Sequence, residues 1–200
     1  MGLPIDRFVV GANSNDILIR FIETGEMVSK DVFETSSPSM DIQISSNFER
    51  FMFEMLDRDA SALSALMDEF KTSGNFSVSD TVMDRIRDLI DGERFDDEAV
   101  SKLIGKVHAD SGYLLDPHSA IGIGAAGAKR GDQDVPIVAL ATAHPAKFPD
   151  VVKAASNVHP DLPDFLADLH DRPERSHTLE NDYNVIKGYI EDILKGRGKL

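Results

Sequence analysis

Cysteine is missing from this chain of 200 residues. Disulfides, thiolate catalysis and cysteine-based metal sites are thereby excluded. Basic residues are in short supply: 21 Lys and Arg against 35 Asp and Glu leave a net charge of −14. A protein that tracks a phosphate backbone needs a concentrated Lys/Arg face, and none is visible, so no nucleic-acid partner is expected. No apolar run approaches the roughly 18 residues that cross a bilayer, and residues 1–7 lack a charged segment followed by an apolar one. No membrane partner is expected; a soluble, reducing, cytoplasmic setting is. His108, His118, His144, His159, His170 and His177 show neither H-x-x-x-H nor H-E-x-x-H spacing, so no metal site is expected. A G-x-S-x-G elbow is also absent, which argues against an esterase-type serine.

What remains is an ordinary globular composition, 42% apolar and 28% charged, long enough for one large domain or two small ones. Phe8 to Ala12 is an apolar run suited to a buried strand. It leads into Asn13-Ser14-Asn15-Asp16, ordinary helix-capping residues. Ile17, Leu18, Phe21 and Ile22 follow on one helical face, with Gly25 as a stop. Such a strand, cap and helix indicate an α/β fold. Beyond a breaker-rich loop at 36–41, Ser46 and Glu49 have the spacing of a capping box. Further helices are expected over 59–71, 79–91 and 97–110, with Gly74, Gly92 and Gly112 between them. Asp116-Pro117 opens a small-residue helix. Terminal helices are expected over 161–169 and 179–194, the second with an apolar stripe of Leu179, Tyr183, Ile186, Ile190 and Ile193.

Candidate chemistry gathers near one place. The run Pro136-Ile137-Val138-Ala139-Leu140 reads as a buried strand ending near Thr142, with a helix starting at Pro145. In open α/β sheets ligands sit just outside such carboxyl ends. Gly122, Gly124 and Gly127 have dinucleotide-loop spacing, but Pro117 starts the helix before them, so they serve close packing rather than nucleotide binding. Lys147 falls in the first turn of a helix, where a lysine is solvated and unsuited to Schiff-base work. His118 reads as a capping or hydrogen-bonding residue, and His144 has that reading alongside a functional one. By residue type alone, Thr142 would be a plain strand-end hydroxyl.

Four segments, in order, resemble bacterial threonine synthase. They are residues 8–16, running Phe-Val-Val-Gly-Ala-Asn-Ser-Asn-Asp; residues 37–50, from Ser37 to Arg50; residues 116–120, Asp-Pro-His-Ser-Ala; and residues 141–148, Ala-Thr-Ala-His-Pro-Ala-Lys-Phe. The resemblance implies part of a pyridoxal-phosphate enzyme of the tryptophan synthase β-like fold, here with a mostly helical insertion and a helical C-terminal tail. Such an enzyme converts O-phospho-L-homoserine and water to L-threonine and phosphate, the cofactor acting as electron sink. It further implies that the Thr142 hydroxyl bonds the cofactor's pyridine nitrogen and that Asn13, Asn15 and Asp16 lie at the substrate. Ser37, Asp41 and Asn47 are expected to brace the site.

The departures are instructive. Ala12 and Ser119 stand where the family commonly has threonine. No segment matches the family's His-x-Pro-Thr and Phe-Lys-Asp lysine region or its Ser-Gly-Asn-Phe-Gly phosphate loop. The chain is therefore expected to be a C-terminal part lacking the Schiff-base lysine, with no catalytic residue of its own, inactive without the N-terminal part and prone to self-association. Residues 1–34 and 112–160 are expected to belong to the cofactor domain, 35–111 to the helical insertion and 161–200 to a helical tail. Two alternatives stand beside this reading: another pyridoxal-phosphate lyase acting on a phosphorylated amino acid, and a non-catalytic helical docking module.

Overall fold

In the computed structural model, which describes residues 2–197, the first strand, β1, is Phe8–Ala12, where the apolar run predicted it. The chain divides after Asp161 into two compact units. In the first, β1 leads into helix α1, Ile17–Thr24, which ends on Gly25 in the left-handed conformation. Asp16 precedes α1 but makes no capping bond; its carboxylate pairs instead with Arg20 and Arg94, each at 2.9 Å. A short strand, β2, Glu26–Val28, follows.

Helix α2 is Phe48–Met55, and its start departs from the expected capping box: Asn47 occupies the cap position without a side-chain bond, and Ser45 rather than Ser46 bonds to it. Helix α3, Ala60–Ser73, is capped by Asp59 and ends on left-handed Gly74. Strand β3, Asn75–Ser77, then pairs antiparallel with β2. Around these elements Ile17, Phe21, Met27, Met52, Phe76, Met83 and Ile86 form one core, with Phe21 set edge-on to Phe48 and Phe76.

Helix α4, Asp80–Leu89, stops short of the predicted 91, and the next residues form strand β4, Ile90–Arg94. β4 pairs in parallel with β1, Val10 opposite Gly92. Gly92 is thus a strand glycine and not a helix stop: a Cβ there would lie 2.4 Å from Ile19 Cδ1 and 3.1 Å from the Val10 carbonyl. Three charged residues in the run Ile-Asp-Gly-Glu-Arg hid this strand, which lies within the interval read from the sequence as helical.

Helix α5, Asp97–Ser111, is capped by Asp96 and ends on left-handed Gly112. Helix α6, Pro117–Ala128, packs on β1 and β4 and contributes Ala120 and Ile121 to a second core with Val100, Ile104 and Leu115. Its glycines lie inside the helix, as expected, and Gly124 serves packing, because a Cβ there would lie 2.7 Å from Leu103 and 2.8 Å from Phe95. Gly127 meets nothing within 4 Å.

The largest correction concerns residues 136–142. They form no strand, and Ile137, Val138 and Leu140 are exposed rather than buried. An apolar β-branched run has the composition of a central strand, but a strand also needs a neighbour to satisfy its N–H and C=O groups. Composition carries no information about that neighbour. The helix expected from Pro145 is likewise split: a 3₁₀ turn at Pro145–Lys147, then α7, Pro149–Ser156. Phe148 breaks the two apart, because the residue before a proline is sterically turned from helical geometry.

The second unit holds short 3₁₀ turns at Asp164–Leu166 and Leu169–Asp171 and one long helix, α8, Tyr183–Arg197. Leu179, expected at the start of that last helix, precedes it, and Tyr183, Ile186, Ile190 and Ile193 are exposed. Among the described residues, no helix is long and apolar enough to cross a membrane, and no group of three or more His, Asp or Glu side chains is disposed to hold a metal ion.

Two predictions follow from the packing of α6 and β4. Gly124→Ala destabilises by about 1–3 kcal/mol through overpacking, whereas Gly127→Ala is neutral or stabilising by up to about 1 kcal/mol through helix propensity; urea denaturation of the two variants reads the difference. Partial burial pushes the Asp91 carboxyl up, yet the Gly92 N–H, the Lys129 ammonium and the Arg7 guanidinium together outweigh it and hold the group below its usual value. A carboxyl lowered on folding stabilises above its unfolded pKa and loses that contribution as pH falls through the folded value. Acidification below about pH 4 should therefore weaken the fold, and Asp91→Asn should flatten that part of a stability-against-pH curve.

Candidate functional site

Asn13, Asn15, Ser37 and Asp41 share one set of hydrogen bonds, and Ser39, Asp116, His118, Ser119 and Thr142 share a second. At the carboxyl end of β1 the chain turns, and Asn13 is almost wholly buried. Its Nδ2 lies 2.8 Å from Thr35 Oγ1, 3.0 Å from Ser37 Oγ and 2.7 Å from Asp41 Oδ1. Its Oδ1 accepts the Asn15 backbone N–H at 2.8 Å. Asn15 behaves as a strand partner made of side chain: Nδ2 donates to the Phe33 carbonyl and Oδ1 accepts the Phe33 N–H, both at 2.8 Å. Asp41 collects the donors, with Oδ2 accepting the Thr35 N–H at 2.9 Å and Oδ1 accepting the Thr35 hydroxyl at 2.6 Å and the Asn15 amide at 3.1 Å.

This arrangement fixes an irregular segment that no sheet ladder supports. A loop whose backbone groups are removed from water must find partners elsewhere, and Asn13, Asn15 and Asp41 supply them. The bracing expected of Ser37 and Asp41 is what they do. Asn47 stands apart, exposed at the start of α2. Asp16 is held by two arginines, and Arg20 also donates to the Val28 carbonyl and to Gln43.

A second hub is Asp116, whose carboxylate is buried at the start of α6. Its Oδ1 accepts the His118 N–H at 2.9 Å and faces His118 Nδ1 at 2.9 Å. Its Oδ2 accepts the Ser119 N–H and the Ser119 hydroxyl. On its far side His118 Nε2 accepts the Ser39 N–H at 3.2 Å. That bond assigns the ring proton to Nδ1, which donates it to Asp116. The imidazole also lies against Phe148, ring centroids 4.8 Å apart.

Thr142 joins the network through its backbone: its N–H donates to Ser119 Oγ at 3.3 Å. The Thr142 side chain is exposed, and its hydroxyl makes no hydrogen bond among the described residues. His144, two residues on, accepts the Ala146 N–H on Nδ1, so its ring serves the local turn. Lys147 is exposed, as expected of a solvated first-turn lysine. Sequence reasoning missed the Asp116–Ser119–Thr142 linkage; the visible signal was Asp116-Pro117 alone, which announces a helix cap and not what the capped residues hold.

A family model described as threonine synthase, C-terminal, matches residues 119–190. The threonine synthase of Pseudomonas aeruginosa is 45% identical over 192 residues, covering 95% of this chain and 41% of that protein. That of Saccharomyces cerevisiae is 34% identical over 219 residues, covering 97% of this chain and 43% of that protein. Among solved structures, the pyridoxal-phosphate-bound threonine synthase of Brucella melitensis matches with a TM-score of 0.88 at 47% identity, over 95% of this chain and 41% of that one. Yeast threonine synthase matches with a TM-score of 0.85 at 34% identity, over 98% and 43%. The chain spans 41 to 43% of the length of these curated relatives.

These likenesses define first a class: an α/β fold of the kind found in solved threonine synthases. Over nearly its whole length the chain is similar to threonine synthases, and the family model that it matches describes their C-terminal region.

The brace itself is open to test. Asp41→Ala strips four donors of their acceptor and should destabilise by about 2–4 kcal/mol. An unfolding midpoint unchanged from wild type would mean that the 33–41 segment is held by something other than this carboxylate.

Proposed function

We propose that this chain is part of a threonine synthase that uses pyridoxal phosphate to convert O-phospho-L-homoserine and water to L-threonine and phosphate. The observation that carries the reading is the disposition of Thr142, in a chain whose trace follows that of a pyridoxal-phosphate-bound threonine synthase. Its backbone is fastened from behind by Ser119, while its hydroxyl is exposed and unpaired among the described residues. A free, neutral hydroxyl on a fixed backbone fits a pyridine nitrogen, which asks for a single hydrogen-bond partner.

Bound at this site, the cofactor supplies the electron sink for bond breaking on the amino acid. Thr142 sets how strong a sink it is. A hydroxyl, unlike a carboxylate, leaves the ring nitrogen largely unprotonated; that restrains electron withdrawal and favours elimination of the phosphate over transamination. Asn13, Asn15 and Asp16 flank the substrate in this proposal. With the amides of Asn13 and Asn15 committed to the 33–41 segment, their part is to shape that wall. Because Asp16 does not cap α1, the N–H groups of the first turn remain to favour an anion there.

Residues 1–34 and 112–160 would then belong to the cofactor domain, 35–111 to a mostly helical insertion whose β4 returns to pair with β1, and 161–200 to a helical tail. The Schiff-base lysine and the phosphate loop would come from the rest of the enzyme, working in the cytoplasm. Residues 1–200 alone would carry no turnover. Their exposed apolar run at 135–140 and the unpaired edges of β1 and β4 would promote self-association.

The test uses the full-length enzyme. Phosphate release should be fast with O-phosphohomoserine and negligible with O-phosphoserine; the reverse order would assign a different lyase of the same fold. Thr142→Val should lower kcat at least about tenfold, with Thr142→Ser close to wild type. Equal activity of the valine variant would remove Thr142 from the chemistry.

A further inference from the structure

Asp116 and Ser119 are polar groups for which the proposed chemistry has no use. Both are buried, both lie behind Thr142, and neither faces solvent. Ser119 has one hydrogen to give and gives it to Asp116. The oxygen is thereby turned so that a lone pair faces the Thr142 N–H, which it accepts at 3.3 Å. An unpaired serine hydroxyl rotates freely; this one is fixed by a buried carboxylate whose other oxygen is occupied by His118.

We infer that Ser119, oriented by Asp116, is a positioning residue that sets the backbone of Thr142 and so aims the Thr142 hydroxyl. The same carboxylate also fixes His118, whose ring bonds the Ser39 N–H and lies against Phe148. One buried charge thus holds residues on both sides of the 142–148 turn. That turn has no sheet ladder of its own: residues 136–142 are neither helix nor strand. Without Ser119 the Thr142 amide loses its partner, and the hydroxyl loses a defined direction. Small misplacements of this kind cost rate rather than affinity for substrate.

The inference rests on the reading of Thr142 given above, and the experiment separates the two. In the full-length enzyme freed of cofactor, amide hydrogen exchange at Thr142 should accelerate about fivefold or more in Ser119→Ala, by loss of one hydrogen bond. In the loaded enzyme the same variant should lose about tenfold in kcat for phosphate release, with KM for O-phosphohomoserine within about twofold. Ser119→Thr, which restores a hydroxyl, should recover both. If Ser119→Ala does not fold, Ser119→Cys keeps the shape with a poorer acceptor and is read the same way, with smaller changes. Unchanged exchange at Thr142 overturns the inference, whatever the activity. Faster exchange, with Thr142→Val as active as wild type, supports the clamp and overturns the cofactor contact instead.

Discussion

A carboxylate with no access to water sits at the start of α6, and the junction around it depends on that group. Burying an isolated charge costs several kcal/mol unless donors replace the lost water. Asp116 recovers four, all from the next three residues: two N–H groups, the His118 ring and the Ser119 hydroxyl. The positive end of the α6 dipole adds to them. Because every donor is local, the arrangement forms with the helix itself. Its consequences are not local. With His118 turned inward on Nδ1 and the Ser119 hydroxyl hydrogen given to the carboxylate, each leaves an acceptor facing outward, His118 Nε2 and a lone pair of Ser119 Oγ. Those outward atoms accept the N–H groups of Ser39 and Thr142, residues distant in sequence.

Asp116 is linked in turn to the other hub through one short turn, Pro38–Met40. Ser37 on one side of it holds Asn13, Ser39 within it holds His118, and Asp41 on the other side holds Thr35, Asn13 and Asn15. Met40, meanwhile, packs against the second core. The polar chain therefore runs from the segment after β1, through the 3₁₀ turn Pro38–Met40, to the first turn of α6. The segments after β1 and before that turn are irregular, and an irregular backbone is defined only as well as its partners are. Here the partners are side-chain amides and carboxylates, which have fixed geometry and two or more bonding sites each.

Local signals were legible in the sequence because their causes are local. Asp116-Pro117 marks a cap and a first turn, and Gly25, Gly74 and Gly112 end helices by adopting a left-handed backbone that other residues resist. What lay hidden was whatever depends on a partner far along the chain. β4 is a strand only because β1 lies beside it, and its charged residues sit at an edge where they remain solvated. Residues 136–142 show the converse: strand composition, and no strand. Asp16 was legible as a cap and became an ion-pair centre, since Arg94, brought close by β4, outbid the helix N–H groups for its oxygens.

The same distinction governs how the family's motif residues are interpreted. Asn13 and Asn15 read from the sequence as substrate residues, Asp41 as a brace and Asp116 as a cap, and all of them, with Ser119, direct their polar atoms at other parts of this chain. Thr142 does the opposite. It offers its backbone to the network and keeps its hydroxyl outside it. A polar atom already bonded inside the fold is in competition with any ligand and would have to break that bond, at a cost of about 1 kcal/mol or more, to receive it. An atom that is free but rigidly placed gives up nothing and loses little entropy on binding. By that criterion the motifs divide into residues that fix a backbone and one, Thr142, whose hydroxyl is left free among the described residues, as its proposed contact with a ring nitrogen requires.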